Sequence, residues 1–252
     1  MEPIITLAGP FTYPAALTAL LERQHYTVVR ARVIERIVDF ILEQYPALVL
    51  VNGDQSGWQS WVSVLRTEQA TRRIPLLVIM TSPLAQETNG ADGFLDSHLS
   101  DEDFLRAIRA HIHIMSPETA DQLACQCDDE LPALAQLGVE RFNEGDYYAQ
   151  HDAFEKLWMA ESGPVRALYR AILQVGIAYY HITRGNHAGG LRMLRRCVQW
   201  FVVLPDECQG IDVRQLRDDA ARVRAALLAA PPDEIDTFDR TLLKPVPRKT
   251  YD

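Results

Sequence analysis

The sequence lacks the features that would place the protein in a membrane or on nucleic acid. No apolar run reaches the roughly 18 residues that cross a bilayer, and the first residues lack the basic start of a signal peptide. Acidic residues outnumber basic ones by 34 to 25, and the chain has a net charge of −9. This charge argues against a basic surface that binds the phosphates of nucleic acid. These absences predict a cytoplasmic protein that binds neither membranes nor nucleic acid.

Cysteine is also scarce. The spacing of the 4 cysteines matches neither a disulfide framework nor a two-pair zinc site, so we expect reduced thiols; the four are Cys125, Cys127, Cys197 and Cys208. The Cys125-x-Cys127 pair is at most half of a metal site, because no second close pair completes it. We therefore expect no metal there, and the sequence predicts no cofactor.

Length and composition indicate two folded domains. A chain of 252 residues is comfortable for two cores, and its 48% hydrophobic and 23% charged residues form a globular balance. Ser116-Pro117-Glu118 reads as a helix start and marks the boundary. The expected organisation is an α/β domain (1–115), a linker with a short helix (116–131), a helical domain (132–230) and an extended tail (231–252).

The N-terminal half alternates short apolar strands with amphipathic helices. Such alternation predicts a doubly wound (βα)5 domain around a parallel sheet. The predicted strands are 4–10, 26–31, 47–52, 74–80 and a weak one at 93–95, and the predicted helices are 15–24, 33–44, 58–68 and 101–114.

Several stretches of this half resemble a two-component receiver domain of flavodoxin-like fold. The resemblance lies in Pro46-Ala-Leu-Val-Leu-Val51, in residues 65–81 (LRTEQATRRIPLLVIMT), in 90–95 (GADGFL) and in 101–105 (DEDFL). It covers about residues 1–115. The resemblance implies that this half is a receiver-like domain and that its surface serves protein docking or dimerisation, which is an argument from fold analogy.

The phosphorylation chemistry of that family is missing here. Receivers carry an acidic pair after the first strand, an aspartate after the third and a lysine after the fifth; these positions read Ala8-Gly9, Asn52 and Asp96-Ser97-His98. Only the Thr or Ser after the fourth strand has a match, in Thr81 or Ser82. A carboxamide cannot form an acyl phosphate, and without the acidic pair a magnesium ion loses its oxygen ligands. We expect no phosphotransfer.

Asp54, two residues after the degenerate phosphoacceptor position, is a possible substitute acceptor. We interpret it instead as a turn or cap residue, because Asn52-Gly53-Asp54 has the composition of a turn.

The C-terminal half shows helical patterns throughout and no strand pattern. Ser162-Gly163-Pro164 and Arg184-Gly185-Asn186 supply the stop-and-turn residues between successive helices. The predicted helices are 132–143, 147–161, 165–184, 188–203 and 213–230.

Residues 142–158 (FNEGDYYAQHDAFEKLW) and 171–186 (AILQVGIAYYHITRGN) closely resemble the domain-of-unknown-function 309 family. The resemblance covers roughly residues 133–203, and the family's usual His-Glu pair reads His151-Asp152. It implies a small helical bundle and fixes the fold better than the function, since that family has no established activity.

Two sets of polar residues in this half are candidate site residues. His151, Glu155 and Trp158 are spaced i, i+4 and i+7 and share one helical face. The helix at 165–184 is otherwise apolar around most of its circumference, and it carries a polar stripe of Arg166, Arg170, Gln174, His181 and Arg184. Buried polar groups need partners, so we expect this stripe to meet the face of His151 and Glu155.

Three interpretations of these residues stay open. They form a structural polar network that fixes helix register, or a metal-assisted hydrolase site of His151, Glu155 and His181, or an anion pocket built on the arginine stripe.

A recurring loop supports binding over catalysis. Gly145-Asp-Tyr-x-Ala149 and Gly185-Asn-His-x-Gly189 each join two helices, as in tetratricopeptide-like hairpins. We therefore expect a non-catalytic regulatory or adaptor protein. Its receiver-like domain would contact a protein partner or a second copy of the chain, and its helical domain would bind a protein or a small anionic ligand.

Overall fold

The computed structural model of the chain describes residues 2–12, 14–81, 90–112 and 115–249. The chain divides into two compact units, Met1–Ile114 and Met115–Asp252. Within the described residues, every helix is too short or too polar to cross a membrane.

The first unit, called the sheet unit below, is built on five parallel strands in the order β2-β1-β3-β4-β5. This is the flavodoxin-like order of a doubly wound domain, and it confirms the predicted fold class. The strands are β1 (Ile4–Ala8), β2 (Thr27–Ala31), β3 (Leu48–Asn52), β4 (Leu76–Met80) and β5 (Gly93–Asp96), and the helices are α1 (Pro14–Glu22), α2 (Ile37–Gln44), α3 (Trp58–Thr67) and α4 (Asp101–His111).

The central strand explains why this unit folds as it does. All five residues of β3 are buried, and its Leu-Val-Leu-Val run is typical of a parallel strand covered on both faces. Separate apolar clusters lie on the two faces of the sheet. The chain reverses direction across the sheet between β1 and β3, and in doubly wound folds ligands bind at the carboxyl ends of the strands beside this point. Asn52 ends β3 there.

The second unit, called the helical unit, consists of helices joined by short loops, with one small hairpin, β6 (Glu207–Cys208) and β7 (Ile211–Asp212). This confirms the predicted all-helical class of the second half. The helices are α5 (Pro117–Asp128), α6 (Ala133–Asn143), α7 (Tyr147–Ala160), α8 (Arg166–Thr183), α9 (His187–Phe201) and α10 (Val213–Ala229).

The α6–α7 and α8–α9 connections share one geometry. Gly145 and Gly185 follow the first helix of each pair with φ of +82° and +74°, a conformation that glycine adopts without steric cost. Asp146 and Asn186 then cap the second helix, each side chain accepting from the backbone N–H three residues on. The recurrence seen in the sequence is therefore a repeated turn.

Helix α8 is the centre of the helical unit and packs against α7 and α9. Eleven of its residues are buried, including Tyr169, Ile172 and Tyr179. Gly176 allows the close approach of α7, because a Cβ atom there would lie only 2.3 Å from Gln150 Nε2. Gln174 is the one polar residue other than tyrosine among the eleven buried residues of α8.

One expectation about cysteine is wrong. Cys127 at the end of α5 and Cys208 in β6 form a disulfide across a sequence separation of 81 residues. The β6–β7 hairpin carries Cys208 back to α5, and spacing along the chain does not reveal such a long-range approach. Cys125 and Cys197 are free thiols, and complete burial raises the pKa of Cys197 to about 12.

The segment after α10 is only partly extended. Short 3₁₀ turns occupy Pro232–Thr237 and Arg240–Leu242. Ile235 and Val246 are buried in the core of the helical unit, and Arg248 forms an antiparallel bridge with Ile211. These two apolar side chains explain why the segment packs onto the helices up to residue 249.

Candidate functional site

The degenerate phosphoacceptor position of the sheet unit is fully engaged in hydrogen bonds. Asn52 Nδ2 donates to the Pro10 carbonyl at 2.7 Å, and Asn52 Oδ1 accepts from the Asp54 backbone N–H at 3.1 Å. The Asp54 carboxylate in turn accepts from the Thr81 backbone N–H at 2.8 Å. These side chains tie together the loops after β1, β3 and β4. A carboxylate at position 52 could not make the first bond, because it has no donor.

The loop after β5 pairs its polar residues internally. Asp96 accepts from the backbone N–H of His98 at 2.8 Å and lies 2.9 Å from His98 Nδ1. These hydrogen bonds, the backbone one above all, lower the pKa of the Asp96 carboxyl group. The backbone N–H of Thr81 donates to Asp54, and Ser82 lies outside the described residues.

The helical unit contains a cavity of about 240 Å³ between α7, α8 and α9, called the three-helix cavity below. Five of the eight candidate residues named in this half of the sequence line it, which are His151, Glu155, Trp158, Arg170 and Gln174. Its remaining walls are Leu173, Ile177, Met193 and Arg196.

Helical spacing explains why these residues meet. Arg170, Gln174 and Ile177 repeat on α8 the i, i+4, i+7 spacing of the three α7 residues, so each helix turns one stripe toward the same space. Met193 and Arg196, three apart on α9, close the third side. The sequence analysis missed both α9 residues. Their spacing shows a shared face, but it does not show which way that face points.

Two tryptophans hold the Arg170 side chain from opposite helices. Its guanidinium carbon lies 4.4 Å from the ring centroid of Trp158 on α7 and 3.9 Å from that of Trp200 on α9. Arg166 approaches the Trp158 ring more distantly, at 5.6 Å. Cation–π contacts of this kind stabilise a partly desolvated guanidinium and fix its plane. A cation is thereby oriented at the wall of the three-helix cavity.

Gln174 is the unusual member of this lining. Gln174 is 5% exposed, yet its Oε1 atom has no hydrogen-bond partner among the residues that the structure describes. An unpaired buried polar group costs about 1–3 kcal/mol. Gln209, equally buried, contrasts with it, because its Oε1 accepts from Tyr169 and its Nε2 donates to the Gln126 carbonyl. Gln150 Oε1 on α7 is likewise buried with no partner among the described residues, although Gln150 does not line the cavity.

Three candidate residues do not line the three-helix cavity, which are Arg166 near Trp158 and, further along the chain, His181 and Arg184. His181 Nδ1 is 3.1 Å from Asn186 Nδ2, and burial, with a smaller contribution from Arg192, lowers the pKa of His181. Arg184 is exposed and lies over the Tyr180 ring at 5.5 Å. Both follow Gln174 on α8 by seven residues or more, which is about 10 Å along the helix axis.

The proposed metal ligands are not brought together. His151 and Glu155 line the three-helix cavity and His181 does not. The His151 ring stacks on Tyr148 with centroids 6.4 Å apart, and its Nδ1 lies 3.3 Å from an Asp152 oxygen. Across the parts of the chain that the structure describes, no three His, Cys, Asp or Glu side chains form a group able to hold a metal ion.

Known proteins resemble the chain in both units. Residues 135–193 match the family described as Domain of unknown function (DUF309). An uncharacterized protein of Aquifex aeolicus is 25% identical over 77 residues, which is 30% of this chain and 23% of that protein, so the match spans about a quarter of that relative.

Solved structures resemble the sheet unit. The receiver domain of a sensor histidine kinase from Pseudomonas aeruginosa is 15% identical with a TM-score of 0.40, covering 44% of this chain and 98% of that one. The chemotaxis protein CheY4 of Vibrio cholerae is 12% identical with a TM-score of 0.40, covering 44% and 100%. Residues 135–193 of the helical unit thus match the domain of unknown function 309, and the sheet unit has the flavodoxin-like strand order.

Proposed function

We propose that the protein is a regulatory or adaptor protein whose helical unit binds a small anionic ligand in the three-helix cavity. The observation that carries this proposal is that Arg170, Arg196 and Gln174 line one cavity between three helices. In the same proposal the sheet unit serves as a docking or dimerisation module without phosphotransfer.

The arginines are suited to anions. A guanidinium has five N–H donors in a planar fork that matches a carboxylate or a phosphate. The ring contacts of Arg170 fix the direction of its fork before any ligand arrives, which reduces the entropy lost on binding. A cavity of about 240 Å³ has room for roughly eight water molecules, and this size fits a small metabolite better than a peptide.

The role of the sheet unit rests on how Asn52 is used. Its carboxamide joins two loops and offers no carboxylate for phosphorylation. A cavity of about 510 Å³ opens beside it, with apolar walls that include Phe11, Leu17 and Phe104. Such a surface suits contact with a protein partner or with a second copy of the chain.

Calorimetric titration of the full chain tests the anion proposal. Phosphate, glutarate and glutamate are each titrated into the wild type, into Arg170→Gln and into Arg184→Gln. We expect saturable binding of at least one anion, weakened at least ten-fold by Arg170→Gln. Arg184→Gln removes the same charge just after the end of α8, outside the cavity, and should leave binding unchanged. Failure of all three anions to bind the wild type contradicts the proposal.

A second test addresses phosphotransfer. We expect no phosphorylated protein after incubation with acetyl phosphate and magnesium, because position 52 carries an amide. A base-labile phosphoryl adduct on the sheet unit, detected by mass spectrometry, would contradict this expectation.

Cytoplasmic localisation stays a prediction, as does the lack of binding to nucleic acid and membranes. The Cys127–Cys208 disulfide offers a test of localisation, since cytosolic thiols are normally kept reduced. Alkylation of intact cells before lysis, followed by peptide mass mapping, should find both thiols reduced if the protein is cytoplasmic. A predominantly oxidised pair would argue for another compartment.

A further inference from the structure

A second cavity of the helical unit, of about 780 Å³, lies beside the disulfide and is called the disulfide cavity below. It is bounded by the end of α5, the loop before α6 and the β6–β7 hairpin. Cys127 is one of its lining residues and is 9% exposed, whereas Cys208 is fully buried. A reagent in this cavity therefore approaches the disulfide from the side of Cys127.

Carboxylates outnumber cations on the walls of the disulfide cavity. The charged residues that line it are Asp128, Asp129, Glu130, Glu207 and Arg248. Lys249 lies 2.8 Å from Glu207 and offsets its charge. The other three carboxylates are exposed and follow Cys127 directly in the chain, so they lie at the same wall as the reachable cysteine. A negative lining repels an anionic reagent and attracts a cationic one.

The disulfide lies at a junction that extends to the central helix. Gln209, next to Cys208, donates from its backbone N–H to the Cys127 carbonyl at 2.7 Å and from Nε2 to the Gln126 carbonyl at 3.1 Å. Gln126 Oε1 in turn accepts from the backbone N–H of Val165, the residue before α8, at 3.1 Å. Opening the disulfide removes the covalent tie of a junction that reaches the start of α8.

We propose that Cys127–Cys208 is a redox-active disulfide that exchanges with thiols entering the disulfide cavity. The attack falls on Cys127, and cationic thiols react in preference to anionic ones. This inference goes beyond the proposed function and stands apart from it, because it uses no residue of the three-helix cavity.

The exchange consists of two successive displacements at sulfur. A thiolate in the cavity bonds to Cys127 Sγ, the S–S bond breaks, and Cys208 leaves as a thiolate that takes up a proton. A second thiolate bonds to the sulfur of the first reagent and releases Cys127 as a thiolate, which is protonated in turn. The two reagent thiols are thereby oxidised to one disulfide while the protein disulfide is reduced. The reverse exchange with a disulfide reagent re-forms the bond.

Reaction of the folded full chain with three small thiols tests the inference. Cysteamine is cationic, mercaptoethanol is neutral and mercaptopropionate is anionic, and each rate is expressed per thiolate. Acid quenching, alkylation and peptide mass mapping follow the two cysteines. We expect a rate proportional to thiol concentration, little changed by urea below the unfolding transition, with the first mixed disulfide on Cys127.

Two outcomes of this experiment would overturn the inference. A disulfide that opens only when the chain unfolds would react faster as urea is added, because urea raises the unfolded population. A first mixed disulfide on Cys208 would show that the attack does not come through the disulfide cavity. Cys125→Ser, at an exposed free thiol two residues before Cys127, is the control and should leave the rate unchanged.

The charge preference has its own test. In the double variant Asp128→Asn, Asp129→Asn we expect the ratio of the cysteamine rate to the mercaptopropionate rate to fall at least about three-fold below that of the wild type. Comparing this ratio between proteins cancels the intrinsic reactivity of each thiol. Asp121→Asn makes the same substitution at an exposed position of α5 outside the cavity and should leave the ratio unchanged.

An unchanged ratio in the double variant overturns the charge preference. If the double variant unfolds, sodium chloride added to the wild type provides the same test, because salt screens charges at an exposed surface. The ratio should then fall as the salt concentration rises, and a ratio that does not depend on salt contradicts the preference.

Discussion

The two units use their polar side chains in opposite ways. At the carboxyl edge of the sheet, the side chains of Asn52 and Asp54 form hydrogen bonds that join neighbouring loops. In the helical unit, Gln174 is just as buried and keeps an unpaired oxygen at the wall of a cavity. The first arrangement stabilises a fold, and the second lowers stability in a way that a ligand can compensate. Residue type alone does not separate these two roles.

The largest expected effect comes from removing the disulfide, a cross-link that the structure describes only in the helical unit. The Cys127–Cys208 disulfide closes a loop of about 81 residues, and its loss should lower the free energy of unfolding of that unit by about 4 kcal/mol. Native-state hydrogen exchange of Cys208→Ser measures this on the amides of α8, while the amides of β3 serve as an internal reference. Cys125→Ser, at an exposed free thiol, is the control and should change neither set. Equal loss of protection in both units would contradict the expectation.

The second prediction breaks the hydrogen-bond network of the sheet unit. Asn52→Asp replaces a donor by a carboxylate that faces the Pro10 carbonyl, so we expect a loss of about 2–3 kcal/mol at neutral pH and no gain of phosphorylation. The loss should shrink at acidic pH, where the protonated carboxyl group can donate. Gln55→Glu introduces the same charge at an exposed position of the same loop. A stable Asn52→Asp variant that accepts phosphate from acetyl phosphate would refute the comparison.

The third prediction contrasts an unpaired buried group with a paired one inside the helical unit. Gln174→Leu removes an amide whose oxygen has no partner, so it should leave stability unchanged or raise it by up to about 1 kcal/mol while it weakens ligand binding. Tyr169→Phe removes the hydroxyl that donates to Gln209 and should cost about 1–2 kcal/mol. Chemical denaturation without ligand measures both variants. A larger loss in Gln174→Leu than in Tyr169→Phe would show that Gln174 is structural.

The smallest expected effect is a pH dependence from His181. Burial and Arg192 lower the pKa of this histidine in the folded protein, so below about pH 6.5 the unfolded chain binds the proton more readily. Stability of the helical unit should therefore fall as the pH drops through that value. His181→Gln should reduce this slope when denaturation midpoints at pH 7.5 and 5.5 are compared. His25→Gln, at an exposed histidine of the sheet unit, is the control, and an unchanged slope in His181→Gln would contradict the assignment.

Local chemistry explains why the fold was predictable. The sequence predicted a helix at 165–184, and the structure has α8 at Arg166–Thr183, because capping and turn residues act within a few positions of a helix end. The parallel order of the sheet followed from the alternation of strands and helices. The disulfide between Cys127 and Cys208 was missed, since it depends on a chain path that no local pattern records.

The candidate site, like the fold, was predictable from the sequence in its local features. Spacing identified the stripes on α7 and α8, and these do face one cavity. Spacing does not show where the contact between two helices ends. His181 and Arg184 were therefore included, although they lie beyond the cavity, near the end of α8. Spacing also gave no orientation for α9, which is why Met193 and Arg196 were missed. Periodicity thus defines a face on each helix, and only packing decides which faces meet and where the contact ends.

The stacking of Arg170 between two indole rings has a practical consequence. The chain has four tryptophans, of which Trp58 and Trp61 lie in the sheet unit and Trp158 and Trp200 flank the arginine in the helical unit. A variant with phenylalanine at positions 58 and 61 would confine tryptophan fluorescence to the ring pair around Arg170. Any ligand that draws the guanidinium away from those rings would then alter the emission, so the protein carries its own optical reporter of occupancy.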